Sequence, residues 1–421
     1  MREFHFRDAE LWCENVRLRD GAEQFGTPLY VYSRNSIIDH CRHIERAFGS
    51  IDHLSCFAVK ANANRTILRT IAQQGIGAEV GSAGELHLAL EAGFPADKIT
   101  YSGVGKRDDE IEFALRSKIL SLNVESEEEL VVISSIARRL NTRARILLRV
   151  TFDVDPDTHP YITTGKNSNK FGVEAAKAGE ILLKARSLQG IEILGIHNHI
   201  GSQIVRADAF VAAAKHSSEL VHQLRSAGIP VHHLNFGGGF GVQYRDYVAH
   251  PFLPSDKETV ESGITTVKLL EAVLPILEGT KCKILIEPGR SIVAHAGIVI
   301  TKVLFKKVTR EKTFVVVDAG MNDLIRPSLY QSYHQVVPLH VDGGQHEIVD
   351  VVGPLCESGD FLALDRALPR VRRGDYLAVL CAGAYGYVLS SNYNARPRPA
   401  EAFIDGSDIR VIREREKIDQ I

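Results

Sequence analysis

The chain has 421 residues, 44% hydrophobic and 24% charged, with a formal net charge of −2. That is enough for two domains with substantial cores, and the near-neutral balance excludes the electrostatic footprint of a nucleic-acid or anionic-membrane binder. The six cysteines, Cys13, Cys41, Cys56, Cys282, Cys356 and Cys381, show no CxxC spacing, which fits reduced thiols in a cytoplasm. The opening residues MREFHFRDAELW contain no long apolar run, so neither a signal peptide nor an anchor is expected and the expected location is cytoplasmic.

Residues 1–26 are too few to fold alone, and Leu29-Tyr30-Val31-Tyr32 reads as a strand that docks on one of the two domains. From Leu54 to Arg290 short β-type runs alternate with amphipathic helical patterns. The runs end near Lys60, Gly81, Gly103, Val124, Thr151, Ile200, Gly239 and Arg290. Helices are predicted over Arg65–Gln74, Glu85–Ala92, Asp108–Arg116, Glu127–Leu140, Ala175–Ser187 and Asp208–Ser226, with another around Glu258–Leu277. Asn64, Ser82 and Ser126 stand where N-caps belong. Eight strands with helical crossovers predict a (β/α)8 TIM-like barrel over residues 27–290, with a doubly wound open sheet as the runner-up. Beyond Arg290 the runs Ile298–Val308, Thr313–Asp318, Glu347–Val352, Tyr376–Leu380 and Ile409–Ile412 are rich in Val, Ile and Thr between turn residues. They predict an all-β domain over residues 291–421, of sandwich or Greek-key barrel type, joined by the N-terminal segment.

The chemistry-bearing residues fall at the ends of the barrel strands, where active sites of this architecture gather. Lys60 follows the apolar run Cys56-Phe57-Ala58-Val59. An amine at the rim of a core is partly desolvated, which lowers its pKa and makes it a nucleophile able to form a Schiff base. Gly237-Gly238-Gly239 follows the run Val231–Phe236. Without Cβ atoms its backbone N–H groups can approach a phosphate, although a plain tight turn is the blander reading. His197 and His199 flank Asn198 before Gly201 and Ser202. An HxH pair can ligate metal, but no matching acidic or cysteine cluster accompanies it, so no metal is expected. One imidazole suits stacking on a flat cofactor, Ser202 suits a phosphate, and His197 reads as a satisfied core histidine. Glu287-Pro288-Gly289-Arg290 ends another strand. A buried carboxylate there needs a cationic partner, such as a protonated pyridine nitrogen, while Arg290 suits phosphate or carboxylate. A structural Glu–Arg pair is the alternative.

In the β region, Arg326 and Tyr330 are four apart and could share a helical face to grip a carboxylate. Cys356 lies beside Glu357 in the turn-rich stretch Gly353–Asp360, as a possible proton donor next to a possible ammonium ligand. Alone, the thiol reads as a small buried hydrophobe. Tyr385, in Ala384-Tyr385-Gly386-Tyr387, could cap a phosphate.

The motifs FAVKAN, HNHIGSQ, GGGFG, EPGR, DAGMNDLIRPSLY, GPLCESGD and GAYGYVLSSNYN, in this order from Tyr30 to about Ala402, resemble the fold-type III decarboxylases dependent on pyridoxal 5'-phosphate. That family includes ornithine, arginine and meso-diaminopimelate decarboxylases, and the diaminopimelate branch is the nearest. The resemblance implies that Lys60 carries the cofactor and His199 stacks on its ring. It implies that Ser202, Gly237, Gly238, Gly239, Gly289, Arg290 and Tyr385 surround the phosphate and that Glu287 pairs with the pyridine nitrogen. Arg290, Arg326, Tyr330, Glu357 and Tyr385 would contact an amino-acid substrate. Cys356 would come from a second subunit to protonate the carbanion, which implies a homodimer with shared sites. Members usually carry Asp where Glu79 stands and Asn-Pro where Thr151-Phe152 stands, while Thr158–Ile162, Thr164-Gly165 and Lys170–Gly172 agree with the family.

The expected reaction is loss of CO2 from meso-diaminopimelate to give L-lysine, because the arginines favour a dicarboxylic substrate. The alternatives are a sister decarboxylase for ornithine, arginine or a D-amino acid, and a silent cofactor-binding barrel.

Overall fold

The computed structural model describes residues 3–154, 164, 169–253 and 265–421. The Thr158–Ile162 motif, Gly165 and the first part of the helix expected over 258–277 lie outside the described residues. The chain divides into two compact units, one of residues 41–242 and 264–291, the other of residues 1–40, 243–263 and 292–421.

In the first unit eight parallel strands form a closed ring: His53–Ala58, Gly77–Val80, Ile99–Tyr101, Ser121–Val124, Ala144–Thr151, Ile191–Asn198, His233–Asn235 and Lys283–Ile286. The eighth strand pairs with the first through Leu285 opposite Leu54, and the fourth with the fifth through Asn123 opposite Leu147. Closure leaves the doubly wound alternative no place, since an open sheet keeps two edges. The strands are apolar and almost wholly buried, as parallel strands covered by helices must be. Leu54, Cys56, Leu147, Leu194 and Leu285, from strands one, five, six and eight, form one cluster, which requires the side chains to meet inside the ring.

The helices begin where the sequence placed their caps. Asn64 accepts from Thr66 N at 2.9 Å, Ser82 from Glu85 N at 3.2 Å and Ser126 from Glu129 N at 3.2 Å. Each satisfies one orphan N–H of a first turn, an interaction worth about 1 kcal/mol. The seventh strand is shorter than the expected Val231–Phe236, because the run bends into the glycine segment after Asn235.

In the second unit the strand order is Phe361–Pro369, His346–Val352, Thr313–Val317, Gly297–Val308, Leu29–Ser33, Ala400–Asp405 and Asp408–Arg413. Tyr376–Val379 also pairs with Gly297–Val308, and carries Val336–Pro338 on its other side. The boundary between units falls inside the helix Arg34–Ala47, not at residue 27. The reason is hydrogen bonding: Leu29–Ser33 runs antiparallel to Gly297–Val308 and parallel to Ala400–Asp405. Residues 1–26 are not a mere join. They form the strands Phe4–Arg7, Glu10–Cys13 and Val16–Arg17 and the helix Leu18–Phe25, and Phe4, Leu11 and Leu18 enter the same core as Leu29, Ile298 and Ala402.

Candidate active site

Four barrel strands deliver the residues singled out from the sequence to their C-terminal ends. Strand one ends in a single 3-10 turn, Val59–Ala61, that presents Lys60. Its Nζ lies 3.1 Å from Glu79 Oε2 on strand two. The lysine side chain is 48% exposed and the glutamate 1%. The desolvated rim expected from the sequence is therefore not what the amine meets. It meets solvent on one side and a buried carboxylate on the other. Glu79, longer by a methylene than the usual aspartate, still reaches the amine. Gly289, from the segment after strand eight, packs beneath this turn. A Cβ there would come within 3.0 Å of the methyl groups of both Ala58 and Ala61.

The glycine run after strand seven fits between neighbouring strand ends. A Cβ on Gly237 would strike the Asn198 carbonyl oxygen, one on Gly238 that of Glu287 and one on Gly239 that of Gly201. Gly237 and Gly239 also have φ of 68° and 97°, which L side chains avoid. The run is thus required by close backbone packing, and the backbone it exposes lies beside the end of strand six. There the Gly238 N–H donates to His199 Nδ1 at 3.2 Å. Burial, with the positive charges of Arg149 and Lys60, pushes the His199 imidazole well below its ordinary pKa. The ring is neutral near pH 7, and with Nδ1 accepting, its proton sits on Nε2.

Arg290 is buried and its Nη2 donates to Ser202 Oγ at 3.0 Å, so two residues assigned to one anion from the sequence stand together. Glu287 is 5% exposed at the end of strand eight. Its Oε1 accepts from Asn235 Nδ2 at 2.7 Å and from Asn123 Nδ2 at 3.5 Å, and its Oε2 faces His197 Nε2 at 3.5 Å. Burial pushes this carboxyl up, but His197, Lys60 and Asn235 outweigh it and hold the group in its charged form.

Sequence reasoning missed Asn123 and Asn235. Their signal was a buried amide two positions after another polar residue, Ser121 or His233, in a short parallel strand. His197, read as a core histidine, is 1% exposed and directs Nε2 at Glu287 Oε2, so it belongs to the site as well as to the core. A further buried pair, Arg149 Nη1 and Glu125 Oε1 at 2.7 Å, lies behind the site, and Glu125 also accepts from Gly172 N at 2.7 Å. Among the described residues no group of three or more His, Cys, Asp or Glu side chains is placed to hold a metal ion.

In the second unit the helix Arg326–Tyr330 forms as the spacing suggested. Arg326 is buried, and its Nη1 donates to Tyr244 Oη at 2.8 Å and to His334 Nε2 at 3.2 Å. Cys356 is exposed rather than a buried hydrophobe. Its loop is pinned by Asp360, which accepts from Met321 N at 2.6 Å and Leu355 N at 2.7 Å, while Ser328 donates to the Gly359 carbonyl at 2.5 Å. Hydrogen bonding to Glu357, and the charge of that carboxylate, push the Tyr393 phenol up. Tyr385 sits at φ 55°, a left-handed conformation unusual for a bulky residue.

The first unit's donor set suits pyridoxal phosphate. It offers an amine for the aldehyde, an imidazole face, a glycine segment with an arginine–serine pair for the phosphate, and a charged buried carboxylate for the pyridine nitrogen.

Comparison with known proteins agrees. Residues 34–294 match the family model described as the pyridoxal binding domain of pyridoxal-dependent decarboxylases. The chain is 46% identical over 416 residues to the diaminopimelate decarboxylase of Aquifex aeolicus, covering 99% of this chain and 96% of that protein. Among solved structures, the Helicobacter pylori diaminopimelate decarboxylase complexed with L-lysine is 39% identical with a TM-score of 0.89, over 96% of this chain and 98% of that one. The M. jannaschii diaminopimelate decarboxylase in complex with L-lysine is 33% identical with a TM-score of 0.91, over 99% and 96%. With likeness of this extent in sequence and in both units, the chain belongs to the pyridoxal-dependent decarboxylases.

Proposed function

We propose that this enzyme binds pyridoxal 5'-phosphate and decarboxylates meso-diaminopimelate to L-lysine and CO2, the last step of lysine synthesis. The observation that carries the cofactor reading is Glu287, a carboxylate buried yet kept charged by amide donors and His197, which is costly without a cationic partner. The substrate reading is supported by near full-length likeness to diaminopimelate decarboxylases.

When bound, pyridoxal phosphate supplies the electron sink for the carbanion left by departing CO2. Lys60 would provide the amine that holds the cofactor aldehyde, and Glu79, 3.1 Å away, orients that amine. His199, its ring fixed by the Gly238 N–H, would offer a neutral face to the cofactor. Ser202, Gly237–Gly239, Arg290 and Tyr385 hold the phosphate, with Gly289 letting that segment approach Lys60. Glu287 keeps a proton on the pyridine nitrogen. Arg290, Arg326, Tyr330, Glu357 and Tyr385 bind substrate, the arginines taking carboxylates and Glu357 an ammonium. Cys356 holds the proton delivered to the α-carbon, and it acts in the site of a second subunit, so the enzyme works as a homodimer.

CO2 release should be compared across meso-diaminopimelate, ornithine, arginine and lysine with cofactor-loaded protein. A site built around buried arginines should favour the dicarboxylate by about 100-fold or more in kcat/KM. A larger value for ornithine or arginine would reassign the substrate.

A further inference from the structure

Glu287 is held from three sides. Strand seven supplies Asn235. Strand four supplies Asn123, whose Nδ2 also donates to Ser102 Oγ at 2.9 Å. Both amides reach Oε1. Strand six supplies His197, whose Nε2 faces Oε2 at 3.5 Å.

His197 has no other use in the fold. Nδ1 has no hydrogen-bond partner, Nε2 has the 3.5 Å approach to Glu287, and the residue is almost fully buried. Burial of an imidazole with one nitrogen unpaired is unfavourable, and an apolar side chain would fill the same space at lower cost. A polar residue kept there calls for a reason outside packing. Its position supplies one. His197 lies in strand six and His199 one residue past its end, so the same short stretch of backbone places both rings. The carboxylate oxygen that His197 faces is the one not taken by the amides. The other charged and titratable groups acting on Glu287 and on this pair of rings are Lys60, Arg149 and the Cys56 thiol.

We propose that His197 is a positioning residue for the cofactor: by pointing its imidazole at Glu287 Oε2 it orients that carboxylate and stabilises its anion, so that the shared proton stays on the pyridine nitrogen and not on the glutamate. No bond to carbon forms or breaks in this step. One proton is partitioned between a ring nitrogen and a carboxylate oxygen, and donors to the carboxylate lower its claim. The inference rests on the cofactor reading above and adds a residue to it.

The test uses holoenzyme loaded with pyridoxal phosphate carrying ¹⁵N in its ring, without substrate. In the wild type the nitrogen resonance should be that of a protonated pyridine across neutral pH. In His197→Leu, or in His197→Phe if the leucine variant does not fold, the signal should move toward the unprotonated position as pH rises. Cofactor affinity should fall roughly tenfold, the scale of losing an outer-shell partner. His197→Gln, which keeps an N–H donor, should restore the wild-type signal. On turnover, kcat should fall while KM stays nearly constant. A ring-nitrogen signal identical in wild type and in the apolar variants would overturn this inference alone. Absence of bound cofactor in the wild type would overturn the cofactor reading with it.

Discussion

Lys60 and Glu79 meet although they are nineteen positions apart, because strands one and two pair in parallel with Ala58 opposite Glu79. The register brings the carboxylate level with the turn that presents the amine. Lys60→Ala removes the group assigned to the cofactor aldehyde, so cofactor-loaded protein should lose its visible absorbance band and all measurable CO2 release; retained turnover would remove Lys60 from the mechanism. A second residue reports through stability. Asp323 is 2% exposed, and burial pushes its carboxyl up to about 7, against donation from Gly320 N. A folded-state value above the unfolded one means that stability is fully present below the unfolded value and is lost as pH rises through the folded one. The expected loss is on the order of 1.4 kcal/mol per pH unit between about 4 and about 7. Asp323→Asn should flatten that slope in denaturant titrations at pH 5 and pH 8, and an unchanged slope would refute the assignment.

The strand-end segments show how much of the site could be read in advance. Period, capping residues and strand spacing located the eight barrel strands and their helices, because parallel strands buried on both faces must be apolar and helices must cap their first turns. Lys60, His199, Arg290 and Glu287 were legible because each sits just past such a strand. The strands Phe361–Pro369 and Ala400–Asp405 were missed because their apolar runs, Phe361–Leu364 and Ala402–Ile404, are short and cut off by Asp365, Arg366 and Asp405. The role of His197 was illegible because it depends on a carboxylate ninety residues downstream. The glycine run was legible as a turn, but its real constraint is three-dimensional. Gly238→Ala would drive a Cβ into the Glu287 carbonyl. We expect this variant to lose about 2 kcal/mol of stability or more. Its cofactor affinity should also fall, because both Glu287 and the His199 hydrogen bond would shift. Equilibrium dialysis with pyridoxal phosphate and thermal melts check the two effects separately.

At the scale of the whole molecule, the assignment of Cys356 to a second subunit has a direct test. Homodimers of Lys60→Ala and of Cys356→Ala should each be inactive or severely slowed. Random mixing of the two chains should restore roughly a quarter of wild-type activity, since half the dimers are mixed and each then holds one intact site. No recovery on mixing would place both residues in the service of one chain. The second unit carries a different consequence, which follows from the seat of Leu29–Ser33 between Gly297–Val308 and Ala400–Asp405. During synthesis this early segment emerges long before either of its neighbours exists. It must wait, with its apolar residues unburied, until residues 297–308 and then 400–405 have been made, while the residues of the ring between them are already complete. Such distant pairing slows folding and exposes a sticky strand to the crowded cell. The nascent chain should therefore be most vulnerable to aggregation, and most dependent on chaperones, at its beginning and not at its end.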